Sequence, residues 1–196
     1  MSSKIIVASL CLSVSAFILQ SEVMAEGDKA QKMDKVALKA EAISIVKRFG
    51  GTLKPKLKGA IQKGGPVEAI QVCYKEAPAI AHQLSKETGW DVRRVSLKAR
   101  NSRNAIPDAW ETKVLKQFDE RQAKGESAEK MAYAEKVDGK FRFMKAQGVE
   151  SICLTCHGET IEPRTGRALK LFYPHDKALG YSLGQIRGAV SLSKEL

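Results

Sequence analysis

Ser151-Ile152-Cys153-Leu154-Thr155-Cys156-His157-Gly158 is the stretch around which the rest of the chain is arranged. It has the form C-x-x-C-H, the spacing of c-type haem attachment. Two thiols separated by two residues can each add to a vinyl group along one edge of a haem. A histidine directly after the second thiol then lies under the ring, within reach of the iron. On this reading Cys153 and Cys156 are thioether anchors for one covalent haem c, and His157 is the proximal ligand. Other chemistries use the same pair of cysteines. A thioredoxin-like redox pair belongs in a βαβ context that this motif lacks. A zinc site takes four ligands, usually from two paired motifs, and the chain has one. A Cys153–Cys156 disulfide would close a very short loop and leave His157 without a role.

The N-terminus supplies the compartment that such a motif needs. Met1-Ser2-Ser3-Lys4 carries one positive charge, Ile5 to Leu19 is apolar, and Val23-Met24-Ala25 puts small residues where a signal peptidase cuts. Residues 1–25 therefore read as a secretory signal and 26–196 as a single domain, exported to the periplasm. The apolar run is shorter than the roughly 20 residues of a membrane span, so no stable span is expected after cleavage; the competing reading is an uncleaved anchor. Cys11 lies within the run and leaves with it. The signal contains Lys4 and Glu22, so its loss keeps the net charge at +11. A basic surface outside the cytoplasm excludes nucleic acid as the expected partner. It suits encounter with an acidic redox protein, or is simply solvated.

The pattern along the chain predicts an α+β domain. Residues 28–49 read as a helix stopped by Gly50-Gly51, a short helical piece follows over 53–62, and a third helix runs from Pro66 to Thr88. Alternation from Asp91 to Leu97 predicts a strand, and Asp108 caps a helix to about Lys124. Asp138-Gly139 predicts a hairpin between 131–137 and 140–145. A segment over Ala168–Tyr173 follows the motif, and Gly188–Leu192 reads as a closing strand. The sum is N-terminal helices packed on a small antiparallel sheet.

Cys73 is the one cysteine left unpaired once the signal and the haem have taken theirs. It shares an apolar helix face with Val67, Ile70, Ala77, Ile80, Ala81 and Leu84. Pro78 cannot donate to the carbonyl of Tyr74, so the turn just after Cys73 should kink or loosen and open space for a flat cofactor. On the helix alone, a lone buried cysteine is a small hydrophobe. The candidates for the sixth iron position are Cys73, His82, His175, Met33, Met131 and Met144. His82, nine residues after Cys73, falls on the opposite, solvent side. His175 stands in the turn-like Tyr173-Pro174-His175-Asp176, and core packing is the default for Met144.

Several stretches together resemble a family of exported single-haem c-type proteins with a PAS-like fold. They are Ala69-Ile70-Gln71-Val72-Cys73 with Ala77-Pro78-Ala79-Ile80-Ala81; Arg93-Arg94-Val95-Ser96-Leu97 with Arg100-Asn101 and Pro107-Asp108-Ala109-Trp110-Glu111; the haem motif; and Tyr173-Pro174 through Asp176-Lys177-Ala178-Leu179-Gly180-Tyr181 to Ile186-Arg187-Gly188-Ala189-Val190-Ser191. The chain departs at Ser102, where that pattern has proline. The resemblance implies a PAS-like sheet and an iron held by the motif histidine and a helical cysteine, here His157 and Cys73. It implies a haem module that responds to redox state or to a small gaseous ligand. The alternatives are a simple periplasmic electron-transfer cytochrome and a haem–thiolate enzyme acting on small sulfur or nitrogen compounds. No base or nucleophile constellation stands beside the ligands, so an enzyme is not expected.

Overall fold

The computed structural model describes the backbone from Leu12 and side chains from Asp34. The side chains on which the signal-peptide reading of 1–25 rests, and that of Met33, lie outside the described residues. Met1–Ala40 is a separate unit, helical from Leu12, and Glu41–Leu196 forms one compact unit, described below.

Helix α1 spans Leu12–Gln71 and runs straight through Gly50-Gly51, which were expected to end it. A glycine costs a helix interior about 1 kcal/mol. Here Ala42, Ile45, Phe49, Leu53 and Ala60 continue one buried stripe on both sides of the pair, and that burial outweighs the cost. The break comes instead at Gly65, at φ 71° and ψ −164°, directly before Pro66, whose ring disfavours helical backbone in the preceding residue. Beyond Gln71 the helix widens into a π-turn over Val72–Glu76, closed by Ala77 N–H to the carbonyl of Val72. Helix α2, Ala77–Thr88, then ends at Gly89 in the left-handed conformation. The loosening expected from Pro78 is thus a π-turn: with no N–H on Pro78, the carbonyl of Tyr74 cannot be bonded in α register.

Strand β1, Asp91–Val95, stops two residues earlier than expected, because Ser96 N–H turns away to the carbonyl of Ala105 at 3.1 Å. Helix α3, Ala109–Ala123, begins with a capping box in which Asp108 and Glu111 each accept the other's backbone N–H. Strands β2 (Ala132–Val137) and β3 (Lys140–Gly148) form the hairpin, with Asp138 and Gly139 both at positive φ. Helices α4 (Ser151–His157) and α5 (Pro163–Phe172) follow, so Ala168–Tyr173 is the end of a helix, and β4 (Ile186–Glu195) closes the chain. The sheet is antiparallel throughout, in the order β1-β4-β3-β2.

The sheet has helices on both faces. Val95, Met144, Ala146 and Ala189 pack against Val114, Leu115 and Phe118 of α3. The other face carries Val92, Phe141, Phe143 and Leu192, all buried, with Trp90 edge-on to Phe141 and Lys194 paired to Glu41 of α1 at 3.1 Å. The domain is α+β, with its C-terminal strand inside the sheet. No helix among the described residues is long and apolar enough to cross a membrane.

Candidate functional site

The C-x-x-C-H stretch folds as the short helix α4 and ends on His157. Gly158 follows because a side chain there would collide: a Cβ would stand 2.7 Å from the carbonyl of Leu154. The segment 178–181 then crosses the end of α4, with Tyr181 N–H to the His157 carbonyl at 2.9 Å and Gly180 N–H to that of Gly158 at 3.0 Å.

His157 is buried, and its Nδ1 lies 2.8 Å from the carbonyl of Ala178. A carbonyl can only accept, so Nδ1 carries the proton and Nε2 keeps its lone pair. Burial, with Arg187 and Arg100 nearby, pushes the imidazole well below its usual pKa, so the ring is neutral at physiological pH. Those are the tautomer and charge state that an imidazole needs to bind a metal through Nε2.

Arg100 ties this region together. Its Nε pairs with Asp176 at 3.0 Å, its Nη2 donates to the carbonyls of Cys156 and Ala178, and its Nη1 lies 3.3 Å from His157 Nε2. Asp176 in turn accepts the N–H of Ala178 at 2.8 Å. The acceptor of the histidine proton is therefore itself fixed by a buried ion pair.

His157 and Cys73 line the same cavity, of about 340 Å³, between α2, β1 and the end of α4. Ala77, Pro78 and Ala81 form its helical wall, and Arg94, Arg100 and Arg187 its cationic wall. Cys153 and Cys156 are not in that lining. Cys153 packs with Val149, Ala178 and Tyr181, and Cys156 with Ile70, Leu169 and Tyr173. Burial pushes the Cys156 thiol up to about 11. Among the described residues all three cysteines are free thiols, and no three His, Cys, Asp or Glu side chains cluster as a metal site would require. A macrocycle that brings its own four nitrogen ligands asks for only two, and Cys73 and His157 are two such groups on one cavity.

The other sixth-ligand candidates separate cleanly. His82 lines the same cavity but is exposed, whereas His175 is exposed and outside it. Met131 and Met144 are wholly buried in the α3-side core. Neither the C-x-x-C-H spacing nor the helix periodicity marks Arg94, Arg100 or Arg187 as site residues. For Arg94 a signal existed: in the alternating stretch 91–97 it shares the face of Val92, so one of two adjacent arginines had to face inward.

These features define a mixed helix-and-sheet domain with a histidine and a cysteine converging on one cationic cavity. The chain belongs to the Tll0287-like family, whose model matches residues 19–194. Among solved structures it is similar to the crystal structure of the cyanobacterial heme-protein Tll0287, with a TM-score of 0.64 and 21% identity over 80% of this chain and 93% of that one. No curated protein matches.

Proposed function

We propose that the chain is an exported, PAS-like haem module. It carries one haem c bound through Cys153 and Cys156, with His157 and Cys73 as axial ligands, and responds to redox state or to a small gaseous ligand without catalysing a reaction. The observation that carries this reading is that Cys73 and His157, far apart in sequence, line one cavity, where Nδ1 of His157 is already committed to a carbonyl. The similar solved structure is that of a heme-protein, and together with the family membership it supports the cofactor. The sheet order and the helices on its faces support the PAS-like description. The haem would supply a one-electron couple whose potential its axial ligands set. This chain's residues would orient it: Ala178 holds the imidazole, Arg100 and Asp176 hold Ala178, and the apolar clusters position the two thiols. The net charge of +11 favours an acidic redox partner, so reduction by such a partner should slow as salt rises.

The test uses the exported protein. Its intact mass should correspond to residues 26–196 plus one haem that acid–acetone does not extract. Cys73→Ala should keep that mass, lose the thiolate-to-iron charge-transfer band, and take up carbon monoxide readily when reduced. His82→Ala should change nothing. A wild-type spectrum in Cys73→Ala, together with an altered one in His175→Ala, would overturn the ligand assignment.

A further inference from the structure

We infer that Arg94 and Arg187 form a carboxylate site within the cavity and receive the two propionate groups of the haem; this rests on the haem reading above. Both arginines line the cavity. Arg94 stands on the cavity face of β1, its Nε bonded to the Gln147 side chain at 3.2 Å and its guanidinium 6.0 Å from the Phe49 ring. Arg187 arrives there by a different device. Gln147 pairs with Gly188 while Gly148 pairs with Ile186, so Arg187 is the extra residue of a β-bulge, a feature that re-aims a side chain. Gly188 makes the bulge feasible. It sits at φ 149°, and a Cβ there would stand 2.3 Å from the carbonyl of Val95.

The other cations of this wall have partners. Arg93 pairs with Glu111 at 3.2 Å, Arg100 with Asp176 at 3.0 Å, and Lys98 lies 4.6 Å over the Tyr181 ring while donating to the carbonyl of Leu179. Neither Arg94 nor Arg187 makes an ion pair among the described residues. Their closeness is unfavourable as it stands: burial first, and Arg187 next, bring Arg94 down to about 10. Two like charges in one partly enclosed cavity call for an anion, and guanidinium groups bind carboxylates through two parallel N–H bonds. A haem carries two carboxylates, on the edge opposite its vinyl groups. Here the vinyl-reactive thiols of Cys153 and Cys156 pack in apolar clusters outside the cavity lining, which leaves the cationic wall to the other edge.

The experiment compares Arg94→Gln, Arg187→Gln and Arg94→Lys in the exported, haem-loaded protein. Intact mass comes first, since absence of haem from the wild type would overturn the haem reading itself. With haem present, resonance Raman propionate-bending bands should shift in both glutamine variants, and the reduction potential should fall because a cation near the iron is lost. Arg94→Lys keeps the charge and loses the fork. It should shift the bands while leaving the potential near wild type, and it carries the test if a glutamine variant does not fold. Unchanged propionate bands in the variants would overturn the inference, even if the potential falls. So would stabilisation of the haem-loaded wild type by added acetate that disappears in Arg94→Gln, because it would assign the pair to free anions.

Discussion

Replacing Arg100 with glutamine should destabilise the domain far more than loss of a surface ion pair. The side chains of Arg100 and Asp176 are 11% and 8% exposed, and they meet at 3.0 Å. Removing the guanidinium strands a buried carboxylate and takes donors from the carbonyls of Cys156 and Ala178. Breaking one side of a buried pair costs about 3–5 kcal/mol. At about 2–4 °C per kcal/mol for a chain of this size, the melting midpoint should drop by about 6–20 °C. Asp176→Asn retains an acceptor for Ala178 N–H but leaves Arg100 without its counter-charge. The double variant removes both charges, so it should cost less than the two single losses added, with a coupling of about 1–3 kcal/mol. Urea unfolding of the four haem-loaded proteins, followed by far-ultraviolet circular dichroism, measures each corner of the cycle. A cost below about 1 kcal/mol for Arg100→Gln, the range of exposed pairs, would refute the view that this pair anchors the histidine.

Gly188→Ala, with its Cβ forced against the Val95 carbonyl at positive φ, should lose at least about 1–3 kcal/mol in a thermal scan. Gly50→Ala, inside α1 and in open space, should be neutral or gain about 0.5–1 kcal/mol. Asp108 is held below the usual carboxylate range: burial works against its charge, but Arg142 and the N–H of Glu111 more than offset that. Its folded pKa is thus the lower one, and its contribution is present above about pH 4 and disappears as pH falls through the folded value. Asp108→Asn, which keeps a capping oxygen, should make the acid limb of the stability profile shallower. Pro78→Ala restores an N–H for the Tyr74 carbonyl. It should convert the π-turn to α register, turn Cys73 by about 100°, and move the visible spectrum of the haem-loaded protein.

Much of the fold could be read from local chemistry. The hairpin at Asp138-Gly139 and the cap at Asp108 depend on a few adjacent residues, and the structure has both where the pattern put them. What could not be read is decided by contacts distant in sequence. Gly50-Gly51 looks like a helix stop until the buried stripe from Ala42 to Ala60 is known to have a partner surface. The helical form of the C-x-x-C-H stretch has no periodicity of its own over seven residues. At the site, the types of residue were legible in C-x-x-C-H and in the unpaired Cys73, but the carbonyl of Ala178 was not, since a backbone acceptor leaves no mark in sequence. The bulge that turns Arg187 inward was equally hidden: it is a mismatch between β3 and β4, and neither strand records it alone.

The two proposed axial ligands are held very differently, which bears on whether the module carries electrons or senses a ligand. His157 is fixed by its Nδ1 bond, by a crossing segment bonded to its own carbonyl, and by the Arg100–Asp176 pair beneath. Cys73 sits in a π-turn that contains no buried residue. Rotating that turn disturbs the contacts of half-buried Tyr74 with Phe172 and Tyr173 but breaks no buried hydrogen bond of the thiol, whereas displacing His157 would break several buried hydrogen bonds at once. An axial bond that opens on reduction should therefore be the one to Cys73. Carbon monoxide added to the reduced wild-type protein should give a complex that retains an iron–histidine bond, and Arg100→Gln should narrow the preference by loosening the histidine side. A complex that retains the thiolate and has lost histidine, recognisable by its red-shifted Soret band, would show that the rigid side is the one that yields and would sink this account of the two ligands.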